Sequence, residues 1–297
     1  MEGNKLLKQD RAAWMMSAPA LIILFMFVIV PFVAAFGFSF TNRMLLMNPG
    51  TSLKFVGLRN YVRLFADPEF YQSLGNNLKF ALFVVPIQTS LALLLALLVN
   101  GKIKGSNLFR TIFFSPVVIS MTVVVVVWAL IFNPTADGYM NTVLANMTFG
   151  LLEPLQWHHS ADTSMLAIAI LSIWQGVGFQ MVIFLSGLQY IPGELYEAAD
   201  IDGANVIQQF WYVTLPQLKN TMVFVVLTTT IFAFRLFTQV MVLTQGGPQG
   251  STSTVVYMMY TEGFQKMKIG YASAISVVFF VIVLVISMIQ RKLISKE

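Results

Sequence analysis

The chain has 297 residues, of which 57% are hydrophobic and only 10% charged, and its mean hydropathy is +0.75; soluble domains carry roughly a quarter charged residues, so an ordinary soluble domain is excluded. The absence of cysteine excludes disulfides, thiolate metal sites and cysteine nucleophiles. The net charge of +5 acquires meaning only once each base is placed on one side of a membrane.

A helix rising about 1.5 Å per residue needs about 20 apolar residues to cross roughly 30 Å of hydrocarbon. Six runs meet that requirement: residues 14–38, 78–99, 108–132, 165–190, 221–243 and 271–290. Each is predicted to be helical, because lipid offers no partner to unpaired backbone groups. The expected fold is all-α, a polytopic membrane protein with six transmembrane helices in a domain over 14–290, an N-terminal segment 1–13 and a tail 291–297. The first run is too long for a signal peptide, and Phe36, Phe38 and Phe40 stand where a cleavage site needs small residues. Pro19, Pro31, Pro86 and Pro116 fall inside these runs and predict bent helices.

Six spans return both termini to one side. Lys5, Lys8 and Arg11 with Arg291, Lys292 and Lys296 mark that side as cytosolic, and Lys102 and Lys104 fall there too. The connection after the first span runs against this rule, since it carries Arg43, Lys54, Arg59 and Arg63 yet lands outside. The segment 133–164 has no Lys or Arg and suits an external position. Its adjacent His158 and His159 lack the three- or four-residue spacing of a helix-borne metal pair and read as a surface pair, so no metal site is expected.

The connection between the fourth and fifth spans, 191–220, contains YEAADIDGANVIQQFWYVTLP. It sets Glu194, Glu197, Asp200 and Asp202 against Lys219 alone, the wrong sign for anionic lipid. Pro192 ends the preceding span, and the residues up to Asp200 form a short helix with acids near its N-terminus. Gly203 breaks that helix. A second one is predicted over 205–212, capped by Asn205 and closed before Leu215 and Pro216. The result is a helix-turn-helix. Its small residues Ala198, Ala199, Gly203 and Ala204 would let another backbone approach while the acids accept from Arg or Lys; the same residues also suit a solvated connector.

Glu197-Ala198-Ala199, Gly203 after three more residues, and Val213-x-Leu215-Pro216 resemble the EAA loop of ABC importer permeases, with Val213 where isoleucine is commoner. FVGLRNYVRLFADPEF, FRTIFFSPVVIS, IWQGVGFQMVIFLSGLQYIPGELYEAADIDGAN, VLTQGGPQGSTST and GYASAISVV resemble the carbohydrate branch of that family. LTQGGPQGST and the ending RKLISKE are similar to the first of the two permeases such systems use. The resemblance implies that Glu197, Ala198, Ala199, Asp200, Asp202, Gly203, Ala204, Leu215 and Pro216 form a coupling loop for a separate ATPase. It further implies a heterodimer with a second permease subunit, two ATPase subunits that bind the ATP and Mg, and an extracytoplasmic solute-binding protein. The location implied is the cytoplasmic (inner) membrane of a prokaryote. The solute implied is a di- or oligosaccharide or a glycerol phosphate. Nothing points to nucleic acid.

The chain has no GxxxxGK[ST] phosphate loop, so it has no nest of backbone amides for a nucleotide, and no histidine in a span to act as a base. No enzymatic role is expected. Nor do the six runs contain an acid of the kind ion-coupled transporters use as relays, which sets an importer apart from a secondary transporter; a non-transporting structural subunit is the remaining alternative. Candidates for a solute path are Gln88, Gln175, Gln180 and Arg235, the last with Phe232, Thr238 and Gln239 at helical spacing in the fifth run. The same groups could instead bond neighbouring helices, and Arg235 could snorkel.

Overall fold

The computed structural model describes residues 2–46, 52–101 and 105–295; Lys102, Lys104 and Lys296 lie outside them. The elements are α1 (Glu2–Leu24), α2 (Val30–Ser39), α3 (Arg59–Phe65), α4 (Pro68–Asn100), α5 (Ser106–Val118), α6 (Met121–Ile131) and α7 (Tyr139–Met147). They continue with α8 (Ser164–Gln189), α9 (Gly193–Ile201), α10 (Val206–Gln209), α11 (Leu215–Gln217), α12 (Lys219–Phe234), α13 (Val255–Tyr260) and α14 (Ile269–Ser295). Four π-helical turns, Phe25–Ile29, Phe210–Thr214, Val240–Thr244 and Thr261–Gln265, interrupt or extend them. Among the described residues the only β pairing is the isolated bridge of Thr41 with Phe55.

Four helical stretches are long and apolar enough to cross a membrane unbroken: Ala13–Ser39, Pro68–Asn100, Ser164–Gln189 and Ile269–Leu293. The third expected span is instead a bent pair, Ser106–Val118 with Met121–Ile131 at 99°; the fifth begins as Lys219–Phe234, turned by 69° from Val206–Gln217 of the 191–220 connection, and is broken between Phe234 and the π-turn Val240–Thr244. Among the described residues all six expected runs are helical, and two of them are interrupted. Proline chemistry accounts for much of the bending. Pro116 cannot donate to the Ile112 carbonyl, and the Ser115 hydroxyl donates to it instead at 2.9 Å; three residues beyond the proline, Ile119 is extended and the chain turns. Pro31 and Pro216 each follow a π-turn, which widens the helix where the proline ring would crowd the carbonyl four residues earlier.

The described chain divides into two compact units. In the one built from Met1–Asp67 and Met259–Phe280, α3 is tied to the end of α2. Asn60 Nδ2 donates to the carbonyls of Ser39 and Thr41 at 2.8 and 2.9 Å, and the Ser39 and Tyr61 hydroxyls share a 2.6 Å hydrogen bond.

The other unit, Pro68–Met258 with Val281–Glu297, centres on α8, which packs against α4 and α5, while α4 also packs on α12. Ala92 and Ala96, one turn apart on α4, admit Met181, Phe184 and Leu188 of α8 to a buried apolar core; small residues are what let membrane helices approach this closely. At Gly178 the approach reaches the backbone, since a Cβ there would stand 2.0 Å from the Phe113 carbonyl oxygen of α5. The helix α4 starts ten residues before the predicted run. Two polar residues of this extension are buried against a glycine-rich loop: Asn76 donates to the carbonyls of Gly250 and Ser253, and Ser73 bonds Ser253.

Candidate functional site

The 191–220 connection folds as two helices at a stiff elbow. The first helix, α9, ends in a Schellman turn: Ala204 N–H donates to the Ala199 carbonyl at 2.9 Å and Gly203 N–H to the Asp200 carbonyl at 3.1 Å, with Gly203 at φ +74°. Asn205 then opens α10 through a reciprocal capping box with Gln208. Two side-chain links fasten the halves. Gln209 Nε2 donates to Asp200 Oδ1, and the Tyr196 and Thr214 hydroxyls bond at 3.0 Å.

One sequence reading changes here. The second helix does not close before Leu215 and Pro216 but runs helically from Val206 through Gln217, turning at the buried Leu218. Asp200 stays exposed while one of its carboxylate oxygens accepts from Gln209. Glu197, Ala198, Asp202, Gly203 and Pro216 are exposed, whereas Ala199, Ala204 and Leu215 are half-buried. Ile201, Val206, Ile207 and Tyr212, 70 to 87% exposed, join them on the surface. The sequence reading names the acids and the small residues but none of these apolar ones; a Val-Ile pair on a helix too short to bury both is the signal that points to them.

The second feature is a cavity of about 400 Å³ between α4, α5, α6, α8 and α12. Gln88, Gln175, Gln180, Phe232 and Gln239 line it together with Ser172 and Thr229. The structure thus brings together five of the seven residues proposed for a solute path. Arg235 and Thr238 are not among its lining residues, and the reason lies in the backbone. The helix α12 stops at Phe234 and Arg235 is its exposed cap, so the helical spacing that was to carry Phe232, Arg235, Thr238 and Gln239 on one face is broken. The break is stabilised by side chains: Asn77 Nδ2 takes the Phe234 carbonyl at 3.2 Å, Asn77 Oδ1 accepts from Val255 N–H at 2.9 Å, and the Thr254 hydroxyl donates to the Leu236 carbonyl at 2.8 Å. Non-helical backbone buried within the protein requires substitutes of this kind.

Within the cavity wall Gln180 Nε2 donates to the Thr229 hydroxyl, joining α8 to α12, and Thr229 donates on to the Val225 carbonyl. Gln180 Oε1 is buried and receives no donor from the protein. Gln239 Nε2 reaches the Ser172 hydroxyl at 3.3 Å. Gly176 leaves space for the Gln88 amide, which a Cβ there would meet at 2.5 Å. The lining offers amides, hydroxyls and the rings of Phe80, Phe179 and Phe232, and it carries no charged side chain.

Bent apolar helices around a solute-sized, mostly apolar cavity with amides and hydroxyls in its wall, and a stiff exposed elbow joining two helices that form that wall, fit a membrane transport subunit. The chain belongs to the family described as binding-protein-dependent transport system inner membrane component, whose profile matches residues 88–296, more than half its length. It is a multi-pass inner-membrane permease of ABC type. It is 41% identical over 240 residues to the probable ABC transporter permease protein YurN of Bacillus subtilis (strain 168), covering 80% of this chain and 82% of that protein. To the arabinooligosaccharides transport system permease protein AraP of the same organism it is 35% identical over 284 residues, 95% of this chain and 88% of that one. The lactose transport system permease protein LacF of Rhizobium radiobacter is 34% identical over 287 residues, 95% and 93% of the two chains. In fold it matches a chain of a bacterial alginate ABC transporter crystallised with its alginate pentasaccharide-bound periplasmic protein, with a TM-score of 0.81, 22% identity and coverage of 96% and 94%.

Proposed function

We propose that this permease imports an uncharged di- or oligosaccharide by alternating access, with both termini in the cytosol. It works as one half of a heterodimer with a second permease, beside two ATPase subunits that bind ATP and Mg and a solute-binding protein on the outer face. The observation that carries this reading is the coupling of the elbow to the cavity. The elbow joins α8 to α12, and those helices meet at the Gln180–Thr229 hydrogen bond in the cavity wall. Displacement of the elbow by a closing ATPase pair therefore moves a solute-facing wall directly, without an intervening element.

The cavity chemistry favours a neutral sugar over a glycerol phosphate. Amides and hydroxyls match sugar hydroxyls, aromatic rings match the apolar faces of pyranose rings, and Gln180 Oε1 supplies an acceptor for a solute donor. A phosphate would need a cation, and the lining holds none. The sugar specificities named for the relatives AraP and LacF agree with this class.

The test is uptake by proteoliposomes containing both permeases and the ATPase. Uptake is expected to require ATP and the binding protein and to survive a protonophore and a sodium ionophore. Uptake that collapses with either ionophore while ATP is dispensable would establish an ion-coupled transporter instead.

A further inference from the structure

The first connection carries more bases than the charge rule allows on an outer face, and the fold shows where one of them goes. In the unit formed by Met1–Asp67 and Met259–Phe280, Arg63 meets Lys266 and Lys268 around a single carboxylate. Glu262, only 2% exposed, sits in the π-turn Thr261–Gln265. Lys266 Nζ contacts Glu262 Oε1 at 2.6 Å, while Lys268 Nζ and Arg63 Nη2 stand 3.6 and 3.9 Å from Oε2. The Arg63 guanidinium also lies over the Tyr271 ring at 4.1 Å, and the Tyr271 hydroxyl donates to Asp67 at 2.8 Å.

A buried carboxylate needs compensation, and the lysine in direct contact supplies it. Arg63 and Lys268 stand beyond hydrogen-bond distance of the acid, with side chains 49% and 40% exposed. Three cations face two carboxylates, the buried Glu262 and the half-buried Asp67 that accepts from Tyr271, so the cluster keeps a net positive charge, and its exposed side chains Arg63 and Lys268 carry it. Its cations are also held in place, Arg63 by the Tyr271 ring and all three by one carboxylate, so little side-chain entropy remains to be lost on binding.

The direction of the cluster follows from α3. Leu58, Val62 and Phe65, spaced by four and three, form an exposed apolar stripe suited to lipid, whereas the opposite flank at Asn60 and Leu64 packs inward. At about 100° per residue, Arg59 and Arg63 lie roughly a third of a turn from that stripe. They therefore face away from the surface that hydrocarbon would cover. Phe264, 58% exposed on the same π-turn as Glu262, adds an aromatic side chain, and arginine with aromatic residues is the composition enriched at protein interfaces.

We propose that Arg63, Lys266 and Lys268, positioned by Glu262, form the chain's electrostatic contact for an acidic face of the extracytoplasmic solute-binding protein. This rests on the import reading and its topology. Rim charges of this kind act on encounter and on salt dependence.

The test uses the whole transporter in discs of phosphatidylcholine, titrated with the solute-loaded binding protein of the same system, with ATP hydrolysis as the readout. Arg63→Glu and Lys268→Glu are expected to co-purify with the ATPase and to need roughly tenfold more binding protein for half-stimulation, with a weaker response to salt. Arg63→Gln and Lys268→Gln are expected to shift the same way by less, and they carry the test if the charge reversals do not assemble. Assembled variants with an unchanged concentration dependence overturn the proposal. So does a defect that appears only when phosphatidylglycerol is added to the discs, which would make the cluster a lipid contact. If wild-type transporter shows no stimulation by the binding protein at all, the import reading falls and the contact with it, an outcome distinct from a failure of the variants alone.

Discussion

Gly203 shows how much one residue decides. Its φ of +74° lies in the left-handed region, and no heavy atom stands within 4 Å of where a Cβ would be placed. A side chain here would meet no obstacle, so the cost of substitution is conformational, about 1–2 kcal/mol for an ordinary residue and more for a β-branched one. Gly203→Val is expected to insert and assemble but to lose transport, whereas Gly203→Asn, which tolerates the left-handed region, is expected to keep most of it. ATP-driven uptake normalised to assembled complex checks both, and normal uptake by the valine variant would refute the requirement for the turn. Gln180 and Arg235 form a second contrast. Gln180 is 3% exposed on the cavity wall, and Arg235 is an exposed helix cap outside it. Gln180→Met is expected to raise the solute concentration for half-maximal uptake roughly tenfold, in keeping with about 1.5 kcal/mol for a lost hydrogen bond, while Arg235→Met leaves it unchanged. The reverse result would move the solute path to the broken end of α12.

Among the elements, the broken fifth span depends most on substitutes for its missing hydrogen bonds. Asn77 is fully buried and serves both the carbonyl that α12 leaves open and the first amide of α13. Asn77→Leu preserves volume but strands one acceptor and one donor, at about 1–3 kcal/mol for each buried unpaired group. The purified transporter is expected to melt several degrees lower, with hydrogen exchange accelerating first at Val255 and in the loop before it. Unchanged exchange there would mean that the break is held by other contacts. The first bent span follows a different rule, since Ser115 replaces the donor that Pro116 lacks and the turn comes afterwards at Ile119 and Ser120. Hydropathy alone cannot distinguish such a pair from a straight helix, because both bury the same residues in the same order.

On the scale of the whole molecule, the absence of native cysteine makes the proposed topology directly measurable. Single substitutions Asp137→Cys and Asp202→Cys place one thiol in the segment before α7 and one at the C-cap of α9, both at exposed positions. A membrane-impermeant maleimide added to intact cells is expected to label position 137 only and to reach position 202 after permeabilisation. Labelling at 202 in intact cells would invert the topology and place the elbow beyond the reach of an ATPase.

The sequence by itself determined that this is a helical membrane protein, roughly where each crossing lies, and which connection carries the elbow, because each of these depends on local quantities: run length, proline and glycine placement, and the capping preference of Asn205. The EAA pattern reached further, to the family, since it is a specific order of residues and not a property of composition. Tertiary structure alone decided that Gln88, Gln175, Gln180 and Gln239, spread over three segments, line one cavity, and that Arg235 does not join them. It also gathered Arg63 and Lys268, some two hundred positions apart in the chain, around Glu262. The physical reason is common to both cases. A helix break is set by where distant side chains such as Asn77 and Thr254 supply the missing hydrogen bonds, and a buried charge by which distant cations arrive to compensate it, and neither leaves a periodic signal in the sequence.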